Sequence, residues 1–84
     1  MTDRPEIDRT LRRIFADLFD KEPESFAAES SPDSLPEWDS LSHVTLIGAL
    51  EEAFEISIPF EDQIDMLTFE LVADVVAERL RTGA

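Results

Sequence analysis

A chain of 84 residues with 43% hydrophobic content, six Phe and one Trp can build one small core, but at this size it has little material for a deeply enclosed catalytic cavity. Twenty acidic residues against seven basic ones leave a net charge of −13, a field that repels nucleic acid and anionic lipid and speeds encounter with basic protein surfaces. With no Cys, disulfides, thiolate metal sites and a cysteine nucleophile are excluded, and with one His a zinc or copper centre is not expected.

Residues 5–20 place Ile7, Leu11, Ile14, Phe15, Leu18 and Phe19 at helical spacing, with Arg9, Arg12, Arg13 and Asp17 off that stripe. Pro5 suits a first turn and Pro23 stops the pattern, so a first helix is expected here. Residues 21–38 hold Pro23, Pro32 and Pro36 in a long connection, which Phe26, Leu35 and Trp38 are expected to pin to the core. The proline-free run DSLSHVTLIGALEEAF predicts a second helix from Asp39 to near Phe54. EISIP alternates but has no partner strand, so it is expected to be an extended connection, and FEDQIDM to form at most a short helical turn. Thr68 is a candidate N-cap for FELVADVVAERL, whose Phe69, Val72, Val76 and Leu80 share a face; Glu70, Arg79 and Arg81 suit the dipole of that helix. The expected fold class is all-α: an antiparallel helical bundle of three main helices plus one short helix, with a long loop between helices one and two. No apolar run spans a bilayer and the first residues lack a signal-peptide stretch. A single cytoplasmic domain over residues 1–84, without membrane or nucleic-acid partners and monomeric for want of a coiled-coil heptad, is the expectation.

The tripeptide Asp-Ser-Leu occurs twice, at Asp33-Ser34-Leu35 and at Asp39-Ser40-Leu41. Leu35 precedes Pro36 and is biased away from helical geometry, which puts Ser34 in a loop. Ser40 stands at the start of the second helix with Asp39 as its N-cap, where unpaired N–H groups and the positive end of the dipole favour an attached phosphate.

The company of the second copy carries more information than the tripeptide. Asp39-Ser40-Leu41, Leu50-Glu51-Glu52-Ala53-Phe54 and Ile58-Pro59 together resemble the acyl carrier protein family, most specifically over residues 35–59. That resemblance implies a non-enzymatic carrier in which Ser40 is esterified by 4′-phosphopantetheine and Asp39 helps a phosphopantetheinyl transferase recognise the site. The arm would supply the thiol that a chain without Cys lacks. The implied partners are acyl-activating, acyltransferase or condensing enzymes with basic docking patches, in a fatty-acid, polyketide or related pathway. Two departures from the family pattern, Leu35-Pro36-Glu37-Trp38 before the Asp-Ser-Leu and Thr45 where the family usually has an acid, point to a discrete carrier of a specialised pathway. The competing reading is an acidic helical adaptor that binds a basic protein and bears no prosthetic group.

At 100° per residue, His43, Ile47, Leu50 and Phe54 fall on one line with Leu46 beside it, the expected core face. Leu41, Val44 and Gly48 lie to the other side of Ser40, among Thr45, Glu51, Glu52 and Glu55, as a partner surface would; alternatively, Leu41 and Val44 cover the long loop. Glu51, Glu52 and Glu55 oppose the dipole at the helix end, and Glu51 with Glu55 makes a like-charge i, i+4 pair, so their value is expected to lie in partner binding rather than stability. Gly48 costs about 1 kcal/mol relative to Ala and is expected to leave room for a partner or the arm. Ser40, His43 and Asp39 lack the oxyanion hole and cleft of a hydrolase; His43 is expected at the rim of the core and Trp38 as a loop anchor.

Overall fold

The computed structural model describes residues 3–82. Four α-helices, α1 (Arg4–Phe19), α2 (Ser40–Phe54), α3 (Phe60–Gln63) and α4 (Phe69–Thr82), make up the antiparallel bundle, with one 3₁₀ turn at Pro23–Ser25 and no strand among the described residues. Asp3 caps α1 by accepting from the N–H of Glu6, and Pro5 occupies the first turn, where its missing N–H has no consequence. Both α1 and α2 end in a left-handed residue, Asp20 (φ 57°) and Glu55 (φ 55°). Beyond each, the next N–H returns to the helix, from Lys21 to Ala16 O at 3.2 Å and from Ile56 to Glu51 O at 3.2 Å. These Schellman-type turns satisfy carbonyls that a helix end would otherwise leave open.

The core is centred on Phe15, whose ring lies 5.6 Å from Phe19, 5.3 Å from Phe26, 5.3 Å from Trp38 and 4.9 Å from Phe69. Three of these four contacts are edge-on, the arrangement the aromatic quadrupole favours. Phe26 and Trp38 are both buried and Leu35 half-buried, so the long loop is held to α1 by its own side chains. Ile7, Leu11, Phe15 and Phe19 are the buried residues of α1; Ile14 and Leu18 of the expected stripe are half-buried flanks.

Arg12, placed off the apolar stripe by the sequence, is not a free surface cation. Its guanidinium donates to Pro23 O at 3.0 Å, to Phe26 O at 2.6 Å and to Asp8 at 2.8 Å, and lies 5.1 Å from the Phe69 ring centroid. One side chain thereby supplies the loop with donors that no neighbouring backbone offers. The loop in turn serves α4: the N–H groups of Phe69 and Glu70 donate to Ser30 O at 2.8 Å and Ala28 O at 2.9 Å, while Thr68 Oγ1 accepts from Leu71 N as the expected cap. Arg4 joins α1 to α4 through Asp74 at 2.8 Å. Segment 56–58 is irregular, with Ile56 and Ile58 buried. No described helix is long and apolar enough to cross a membrane.

Candidate functional site

Ser40 is the first residue of α2 and is exposed. Asp39 precedes it in extended geometry, with φ −101° and ψ −174°, and its Oδ1 accepts from the Ser42 N–H at 2.9 Å. That N–H, followed by the Ser42 hydroxyl, holds the Asp39 carboxyl below the ordinary carboxylate range. The Ser40 hydroxyl makes no hydrogen bond among the described residues and sits over the positive end of a 15-residue helix. Ser34 differs at every one of these points: it lies in a turn, and its hydroxyl both accepts from Ser31 N at 2.9 Å and donates to Ser31 O at 3.1 Å. The two copies of the tripeptide are thus a closed turn and an open helix head.

Beside Ser40 an open groove of about 540 Å³ runs between the head of α2 and α3. Val44, Phe60, Ile64 and Leu67 form its rim, and Trp38, His43, Gln63 and Met66 its floor. Leu41, Val44, Phe60, Ile64 and Leu67 are 78%, 68%, 71%, 57% and 56% exposed. Leu41 and Val44 therefore face solvent and do not cover the long loop. Phe60, Ile64 and Leu67 extend the same apolar surface and were missed in the sequence. The signal for Phe60 and Ile64 was an apolar residue at either end of FEDQI, but the face shown by a four-residue helix depends on its neighbours.

Of the expected core line on α2, Leu46, Ile47 and Leu50 are buried, and His43 and Phe54 half-buried. Gly48 is exposed, and a Cβ there would meet nothing within 4 Å. Thr45 is also exposed and returns its hydroxyl to Leu41 O at 3.2 Å. The acids at the helix end divide in a way the sequence did not show. Glu52 and Glu55 are exposed, but Glu51 is half-buried and its Oε2 accepts from the N–H of Ile58 at 2.9 Å. Stability therefore does select one of the three: Glu51 fastens the segment after α2 to the helix. Glu55, in its left-handed conformation, has left the helix, so the expected i, i+4 repulsion with Glu51 does not arise in helical form.

His43 bridges two elements. The indole N–H of Trp38 donates to Nδ1 at 3.0 Å, and since an indole nitrogen can only donate, the imidazole proton resides on Nε2, which reaches Gln63 O at 2.9 Å. With both ring nitrogens engaged, and the Asp39 carboxylate on Ser42, the residues Ser40, His43 and Asp39 form no catalytic triad. Trp38 is buried and is the loop anchor the sequence suggested. No cluster of metal-ligating residues occurs among the described residues.

Comparison with known proteins identifies the family. The family model described as a phosphopantetheine attachment site matches residues 9–76. An acyl carrier protein of Rubrobacter xylanophilus is 38% identical over 76 residues, which cover 90% of this chain and 94% of that protein. The solution structure of the holo acyl carrier protein from Geobacter metallireducens superposes with a TM-score of 0.82 at 30% identity, covering 94% of this chain and 90% of that one. The chain belongs to the acyl carrier family, non-enzymatic proteins that bear a covalent phosphopantetheine.

Proposed function

We propose, on the premise of that membership, that Ser40 is the attachment residue and that residues 1–84 act as one monomeric cytoplasmic carrier domain. The observation that carries this reading is the exposed Ser40 hydroxyl at the head of α2, which makes no hydrogen bond among the described residues and opens onto a groove. The site fits the group: a phosphodiester at Ser40 meets the positive end of the helix, and the groove gives an arm somewhere to lie. When bound, phosphopantetheine supplies the thiol that holds an acyl group as a thioester. The protein's own residues position and present. Asp39 fixes the first turn of α2 and so the place at which the hydroxyl is offered to a phosphopantetheinyl transferase. The surface of Leu41, Val44 and Gly48, continued by Phe60, Ile64 and Leu67, gives partner enzymes an apolar contact. Glu52 and Glu55 draw in the basic patches of acyl-activating, acyltransferase or condensing enzymes, with Glu51 adding its charge while it holds Ile58. The pathway is a fatty-acid, polyketide or related specialised one, and Thr45 in place of an acid favours the specialised kind.

Intact mass spectrometry after incubation with coenzyme A and a broad-specificity transferase tests the attachment residue. Wild type and Ser34→Ala are expected to gain one phosphopantetheine and Ser40→Ala none. Loading of Ser40→Ala would overturn the assignment, and failure of every form to load would favour an adaptor without a prosthetic group.

A further inference from the structure

The hydrogen bonds of His43 join three parts of the chain at the groove. Trp38 belongs to the long loop, His43 to α2 and Gln63 to α3. Helix α3 has four residues and no side-chain cap. Besides its own turn hydrogen bonds, it is tied to the rest of the fold by the Gln63 side chain, which donates to Ile58 O at 2.9 Å, and by the Gln63 carbonyl, which receives the imidazole N–H. Only one tautomer of one protonation state satisfies both neighbours of the ring, because Nδ1 must accept from the indole while Nε2 donates.

We propose that His43 is a protonation-controlled latch: the neutral imidazole closes the bundle beside Ser40 by bridging Trp38 to Gln63, and uptake of a proton releases both. A proton on Nδ1 sets one N–H against another, and the indole N–H belongs to a residue that is 2% exposed. The ring relieves that conflict by turning away from Trp38. Since the two nitrogens are fixed in one rigid plane, the bond to Gln63 is lost in the same movement. The floor of the groove then loosens and α3 is freed from the head of α2. The carboxylates on the surrounding elements are Glu37, paired with Lys21, on the loop, Asp39 at the head of α2, Glu61 and Asp62 on α3, and Asp65 beyond it. Ordinary carboxylates titrate near pH 4, so the range of about pH 5 to 8 lies above them, and loss of the transition in His43→Gln assigns it to the ring. This inference does not depend on which serine is modified.

The test follows the emission wavelength of Trp38, the one tryptophan of the chain, and amide hydrogen exchange of residues 60–66 in the full-length protein across that pH range. In the wild type, acidification is expected to move the emission to longer wavelength and to speed exchange in α3 on the order of tenfold beyond the intrinsic pH effect, the size expected when one buried donor loses its partner. His43→Gln keeps a donor and an acceptor but cannot titrate, and should abolish both changes. Should that variant fold poorly, Trp38→Phe removes the opposing N–H and should make α3 exchange pH-independent after the same correction. A wild type with constant emission wavelength and constant corrected exchange overturns the proposal, as does a transition that survives in His43→Gln. A change in emission intensity alone also overturns it, because the ring would then titrate without letting go of Trp38.

Discussion

Replacing Arg12 by Ala removes the donor of two main-chain carbonyls in the long loop, Pro23 O and Phe26 O. A hydrogen bond to a charged group is worth about 1.5–3 kcal/mol when well shielded. The Arg12 side chain keeps 29% of its exposure, which places each bond near or below the lower end of that range. The Asp8 pair and the contact with Phe69 add little at this exposure. The expected loss is about 2–3 kcal/mol, or roughly 10–20 °C in Tm for a domain of this size. Urea unfolding followed by far-UV circular dichroism and by Trp38 emission measures it, and coincident curves license the two-state fit. Arg12→Lys keeps the charge but loses the fork, so it should recover no more than about half. If Arg12→Ala unfolds within about 0.5 kcal/mol of wild type, or Arg12→Lys matches wild type, the guanidinium is a surface ornament and the account of the loop is wrong.

Gly48→Ala should raise stability by about 1 kcal/mol, because the new methyl group enters open space and the helix gains propensity; a lower urea midpoint would contradict this. The same variant is expected to slow acyl transfer with the cognate enzyme, read as a rate at fixed loading. For Asp39 the sign follows from its depressed folded-state pKa. Its stabilisation is present above the unfolded carboxylate value and is lost as pH falls through the folded one. The urea midpoint of Asp39→Asn should therefore lie below that of wild type near pH 7, and the gap should narrow as pH falls below the ordinary carboxylate range. A gap of constant size would remove the carboxylate from the explanation.

The apolar stripe of α1, the caps at Asp39 and Thr68, the buried line of α2 and the open position of Ser40 were all legible in the sequence because each follows from residues within one or two turns. The features that were not legible share a different cause. Arg12 reaches carbonyls 11 and 14 residues away, Glu51 reaches an N–H seven residues on, and neither spacing leaves a periodic mark. The orientation of α3 is likewise set by what lies beneath it, so Phe60, Ile64 and Leu67 could not be assigned to the groove from their own spacing. His43 was legible as a residue at the rim, but its two bonds require the loop and α3 to arrive together.

The two main-chain contacts between the loop and the beginning of α4, at Ala28 and Ser30, make that stretch of surface less forgiving than its position suggests. Irregular exposed segments usually accept inserted residues or a protease cut with little harm. Here an insertion between positions 27 and 31 would withdraw the acceptors from Phe69 and Glu70, and the damage would surface some forty residues downstream. Tags, linkers and circular-permutation breakpoints are better placed elsewhere.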